Sequence, residues 1–173
     1  METLRLFVAI PLDESWKHTA ALPSEKYSAA SGLRYIPPAN FHITQFFIGD
    51  CPAGYKATIL SLLEEIVPAR HSFLLQAEGY RLVHGRKPSM LWLQFQPCRA
   101  FTDMQQDIAN ALQDLTGAKT LFHDPVPHVT LARLKAAFRP ALYPTLPDQK
   151  GTLEVRRLEL WETQRNATGV AYR

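Results

Sequence analysis

The chain has 173 residues, 46% of them hydrophobic and 20% charged, which is the balance of a folded water-soluble protein with room for a sizeable core. No stretch approaches the roughly 20 apolar residues of a membrane span, and Cys51 and Cys98, the only cysteines, make neither a zinc ribbon nor a disulfide framework. A formal net charge of +3 and a pI near 9.0 suit an anionic ligand without demanding one.

In chain order, LRLFVAI (4–10) is rich in β-branched and aromatic residues and reads as a strand. The N-terminal METLRLFVAIPLDES carries Arg5 in a short apolar run and lacks the build of a signal peptide, so a reduced, cytoplasmic setting is expected. DESWKHTAALPSEKY follows as a helix or two short turns interrupted by Pro23, with Asp13 or Ser15 as N-cap. LRYI (33–36) is a short strand, and PPAN turns the chain into the strand FHITQFFIG. Apolar residues at 59, 62, 63 and 66 predict a helix over 53–66. SFLLQAEGYRLV is a strand or hairpin arm, and SMLWLQFQ (89–96) is a strand. Residues 99–116 form the clearest helix, with Phe101, Met104, Ile108, Leu112 and Leu115 on one stripe and Gly117 as its stop. The strand in PVPHVTLAR (125–133) is followed by the proline-rich loop RPALYPTLPDQKG. TLEVRRLELWET (152–163) reads as one long strand, and GVAYR pairs back on it. Two weakly similar halves emerge, each with strand, helix and a His-x-Thr strand, and we take 1–173 as one domain of α+β class.

The two His-x-Thr strands carry the chemistry. Six histidines and twelve threonines would share this spacing by chance roughly 0.4 times. The context adds more, because each motif opens a strand behind a proline-containing loop, one in each half. Residues i and i+2 of a strand share a face, so His42 and Thr44 point together, as do His128 and Thr130. Ile43, Phe47, Val129 and Leu131 are then expected to face the helices. Two imidazoles near neutrality can take a proton from an attacking water and give one to a leaving oxygen. Threonine hydroxyls can donate to phosphoryl oxygens without adding a base. A metal is the rival use of histidine, but neither His-x-His nor His-x-x-x-His occurs, and His123, Asp124 and His128 make a poor ligand set. His18, His71, His84 and His123 lack the strand context and are read as ordinary histidines.

The ordered set LRLFVAIPL, NFHITQFFIGD, GRKPSMLWLQF, VPHVTLAR and LELWET with GVAYR resembles the two-histidine phosphoesterases, and within them the RNA 2′,3′-cyclic phosphodiesterases once described as 2′-5′ RNA ligases. The resemblance implies a bilobal fold of two pseudo-symmetric antiparallel-sheet lobes, with outer helices and a central cleft. It implies hydrolysis of an RNA terminal 2′,3′-cyclic phosphate to a 2′-phosphate by a monomer, with no metal and no cofactor. By position His42 carries over as general acid, His128 as general base, and Thr44 and Thr130 as phosphate holders. Arg133 matches a basic position that binds substrate, although strict alternation would turn it away from His128 unless a bulge intervenes. Arg81, Arg86, Lys87, Arg156 and Arg157 are further candidates for attracting a nucleic-acid strand, with a solvated surface as the equal alternative. Gln45 stands where the family has an apolar residue, and a buried amide there needs partners. Three alternatives stay open: action on small cyclic nucleotides or ADP-ribose cyclic phosphate, a non-catalytic nucleotide- or RNA-binding module, and reversible 2′-5′ ligation.

Overall fold

A computed structural model describes residues 2–27, 33–66, 72–83, 89–118, 125–134, 148–166 and 169–172. Strands β1 (Thr3–Pro11), β2 (Leu33–Tyr35), β3 (His42–Pro52), β4 (Phe73–Val83), β5 (Met90–Phe95), β6 (His128–Leu134), β7 (Thr152–Val155), β8 (Glu159–Asn166) and β9 (Gly169–Tyr172) alternate with helices α1 (Glu14–Tyr27), α2 (Lys56–Ile66) and α3 (Arg99–Thr116). The strands run β7-β4-β5-β6-β3-β1-β8-β9, all antiparallel, and β2 also lies on β6. The α+β class expected from the sequence is the one observed.

The two central strands touch only briefly. β3 and β6 share one registered pair, Ile43 with Val129. Further along β6 its edge is taken by β2, which pairs Leu33–Tyr35 with residues 134–132. Between them the prolines of PPAN bulge out in a 3₁₀ turn, Pro38–Asn40. On either side of this joint the core divides. One cluster gathers Leu75, Leu91, Leu93, Phe95, Leu131 and Leu153 of the β4–β7 side with Ala20 of α1. The other gathers Leu6, Val8, Phe46 and Ile48 of β1 and β3 with residues of α2 and α3.

The helices cross between these lobes. α1 leaves β1 but packs on β6, and α3 leaves β5 but packs on β3 and α2. Each lobe is therefore built from both halves of the chain, where the sequence pattern gave each half its own helix. A second correction concerns TLEVRRLELWET. It is two strands broken at 156–158, β7 pairing with β4 at one end of the sheet and β8 with β1 near the other. The apolar phase changes at the break, from Leu153 and Val155 to Leu158 and Leu160, a slip by one position that a single strand does not allow.

Local chemistry accounts for the helix ends. Asp13 caps α1, its Oδ1 accepting from the Trp16 amide at 2.8 Å. α1 runs through Pro23, which has no N–H to offer the Thr19 carbonyl four residues back. Tyr80 Oη donates to that carbonyl instead, at 3.1 Å. α3 ends where predicted, on Gly117 at φ 67°, with its amide bonded to the Gln113 carbonyl. The 53–66 helix begins as a 3₁₀ turn, Ala53–Tyr55. Most of RPALYPTLPDQKG (139–151) and the candidate residues His71, His84, Arg86, Lys87, His123 and Asp124 lie outside the described residues.

Candidate active site

Three bulges decide what faces the cleft. In β3 the register passes from Ala9 opposite Thr44 to Val8 opposite Phe46, leaving Gln45 as an extra residue. Gln45 and Phe46 are then both buried on the helix side. In β6 it passes from Trp92 opposite Thr130 to Leu91 opposite Ala132, leaving Leu131 extra. Each bulge thus falls directly after the threonine of its motif, and each turns the third residue past it to the cleft. That residue is Phe47 in one strand and Arg133 in the other. The bulge that the sequence required for Arg133 is present. Phe47, expected on the helix side, is 37% exposed in the cleft instead, because the bulge at Gln45 shifts the alternation before it; the second bulge of β3 follows at Ile48.

Gln45 finds partners where it is buried. Its Nε2 donates to the Phe101 carbonyl at 2.8 Å, and its own carbonyl accepts from Gln105 Nε2 at 3.1 Å. The bulge is tied to α3 through both groups, although Gln45 Oε1 has no partner among the described residues.

Around Ile43 and Val129 the antiparallel register sets Thr44 beside His128 and His42 beside Thr130, all on the face opposite that buried pair. His42 and His128 are diagonal neighbours, about 7–8 Å apart at Cα. Both rings are held alike. His42 Nδ1 donates to the Asn40 carbonyl at 2.7 Å, and His128 Nδ1 to the Val126 carbonyl at 2.8 Å. A carbonyl can only accept, so Nδ1 carries the hydrogen in both rings and each neutral imidazole offers Nε2 as a base.

Their walls differ. His42 sits among Phe7, Trp161 and Tyr172, with ring centroids 5.0, 5.0 and 4.9 Å away. His128 lies flat on Trp92, 3.6 Å between centroids and 17° between planes. Burial lowers the His42 pKa to about 4; the Asn40 bond offsets part of this, and charge on His128 lowers it further. Burial lowers His128 too, against its bond to Val126. Burial therefore favours the neutral form of both rings at pH 7.

A cleft of about 450 Å³ opens beside His42, lined by Arg5, Phe7, Arg34, Thr44, Phe47, Arg133, Thr163 and Tyr172. Among the described residues no acidic side chain is in that lining. His128 and Thr130 stand across the joint, outside it. The sequence missed Arg5, Arg34, Phe47, Trp92 and Thr163; Trp161 and Tyr172 stood in matched segments with no role assigned. Of the basic residues proposed to draw in a strand, Arg81 pairs with Glu78, Arg156 with Glu154 and Arg157 with Glu159. Among the described residues no three His, Cys, Asp or Glu side chains are grouped as metal ligands, and no helix is long and apolar enough to cross a membrane.

A two-lobed antiparallel sheet with a His-x-Thr strand on each side of the joint is the architecture of a phosphoesterase class, and the comparisons agree. The 2′-5′ RNA ligase superfamily matches residues 11–167, and the chain belongs to that family. Among curated relatives, the RNA 2′,3′-cyclic phosphodiesterase of Methanothermobacter thermautotrophicus is 26% identical over 76% of this chain and 72% of its own. That of Aquifex aeolicus is 23% identical over 99% and 95%. Among solved structures, TT0787 of Thermus thermophilus superposes with a TM-score of 0.83 at 20% identity, covering 98% of this chain and 94% of that one. E. coli LigT complexed with 3′-AMP gives 0.78 at 20% identity, over 99% and 95%.

Proposed function

We propose that this chain hydrolyses a 2′,3′-cyclic phosphate at an RNA end, leaving a 2′-phosphate and a free 3′-hydroxyl. One observation carries the reading: two imidazoles with the same fixed tautomer offer Nε2 on one face, each beside the threonine of the other strand. Water attacks phosphorus in line with the 3′-oxygen. His128 Nε2 takes the proton of that water, and His42, protonated in the complex, gives its proton to the departing 3′-oxygen. Thr44 and Thr130 donate to the phosphoryl oxygens as charge moves onto them, and Arg133 binds substrate. The protons balance, because one ring gains what the other gives. Burial makes His42 resist charge, and a cyclic phosphate anion beside it supplies the opposite charge that raises its pKa. The name carried by the relatives in Methanothermobacter and Aquifex is that of the same activity.

The test is incubation of the protein with an oligonucleotide ending in a 2′,3′-cyclic phosphate, in excess EDTA, with mapping of the product. The expected product is the 2′-phosphate at an undiminished rate, since proton transfer and hydrogen bonding need no metal. Turnover that stops in EDTA and returns with zinc or manganese would mean a Lewis-acid mechanism. A 3′-phosphate product would mean that the leaving oxygen has been misassigned.

A further inference from the structure

Arg34 and Arg133 are directly opposite each other across β2 and β6. Like charges in that position destabilise a sheet, and this pair is not relieved from within: neither arginine has a salt bridge among the described residues. Arg5, Arg81, Arg99, Arg156 and Arg157 each have a carboxylate, on Asp50, Glu78, Asp103, Glu154 and Glu159. Both guanidiniums line the cleft that His42 and Thr44 also line, and among the described residues no carboxylate lines it with them. Two adjacent planar forks are suited to one phosphate, which each can grip through two parallel hydrogen bonds, and a bound anion would remove their mutual repulsion. The phosphate at the joint has the two threonines and two imidazoles. Arg133 stands three residues beyond Thr130, about 10 Å of strand, which suits a different phosphate of the same ligand.

We infer that Arg34 and Arg133 form a second phosphate subsite, which takes the phosphodiester on the 5′ side of the terminal nucleotide. The inference rests on the cyclic phosphodiesterase reading above and narrows it: the substrate is an RNA strand, and a lone nucleoside cyclic phosphate leaves the arginine pair unfilled.

The experiment compares four substrates on the full chain at low ionic strength. They are a nucleoside 2′,3′-cyclic phosphate, a dinucleotide with the same 3′ end, that dinucleotide with a neutral methylphosphonate link, and an ADP-ribose cyclic phosphate. The charged dinucleotide should exceed the mononucleoside at least tenfold in kcat/KM, and the neutral link should abolish the gain. The gain should also decline with salt, by an extra slope of about 0.7 in log kcat/KM against log salt for the one added contact. In Arg34→Gln the ratio of dinucleotide to mononucleoside should fall toward one. Arg34 is on an exposed position of a three-residue strand, and if the variant nevertheless fails to fold, the neutral-link comparison on the unmutated chain still decides. Equal rates on the mononucleoside and the charged dinucleotide overturn the subsite while leaving the proposed reaction intact. So does a gain that survives the neutral link, or an Arg34→Gln loss that is the same on both. An ADP-ribose cyclic phosphate that outperforms the dinucleotide would assign the pair to a small-molecule pyrophosphate and overturn the RNA assignment. If no substrate is opened, the proposed reaction fails and the subsite with it.

Discussion

At the scale of single residues, the two histidines share a tautomer and differ in surroundings. The active free enzyme needs one proton on the pair, but burial depresses both rings, His42 to about 4. At pH 7 the pair is mostly empty, so lowering the pH adds the proton that catalysis requires. A second proton then silences the base, against the repulsion between the rings. The profile of kcat/KM should therefore be a bell with its maximum below pH 6.5, the ordinary value for histidine. In the complex the phosphate anion favours the charged ring, so the kcat profile should sit at higher pH. A kcat/KM maximum above pH 7 would show that the rings are not desolvated as described. Roles are separable by leaving group. Each alanine variant should lose about 10²–10⁴ in rate, and an aryl leaving group of low pKa should restore His42→Ala much more than His128→Ala. The reverse pattern would exchange acid and base.

At the scale of elements, β3 and β6 work because each is imperfect. A regular strand would send Phe47 and Arg133 to opposite faces from the ones they use; one bulge after each threonine redirects them, and α3 secures the first through Gln45 and Gln105. α1 is similarly irregular, continuing past a proline because Tyr80 supplies a hydrogen that the helix lacks. Removing that hydroxyl leaves a carbonyl without its donor. Tyr80→Phe should thus cost about 1–3 kcal/mol in denaturant unfolding. In a Pro23→Ala background the backbone donor returns, and the same substitution should cost little. Equal penalties in both backgrounds would mean that the hydroxyl acts through something other than the Thr19 carbonyl.

On the scale of the whole molecule, the crossed helices bind the lobes to one another. α1 completes the core beside β6, and α3, which follows β5, completes the core beside β3. Neither lobe can be built from one contiguous half of the chain, and α3 alone brings the fully buried Ile108 and Leu112, worth about 1.5–3 kcal/mol apiece, to the core beside β3. Thermal unfolding should accordingly be a single transition, with calorimetric and van't Hoff enthalpies equal. Two resolved transitions would show that the lobes fold independently despite the exchange.

Much of this could be read before any coordinates. Patterns with a period of 3.6 or 2 are written into neighbouring residues, so the 99–116 helix, its Gly117 stop and the strands around both His-x-Thr motifs were legible. The sharing of a face by His42 with Thr44, and by His128 with Thr130, follows from strand geometry alone. What depended on partners was not legible. A bulge exists only relative to the strand alongside, so Phe47 was assigned to the wrong face and Arg133 stayed conditional. The phase slip at Arg156 and Arg157 marks the break in TLEVRRLELWET, but that β4 takes one part and β1 the other needs the tertiary structure. Arg34 is unremarkable between Leu33 and Tyr35 until β6 brings Arg133 opposite it. The low pKa of His42 likewise needs the walls of Phe7, Trp161 and Tyr172. Residue type and spacing specify which groups a strand can present, because that geometry is local. Pairing and burial decide which of them meet and in what state of charge, because both arise from segments far apart in the chain.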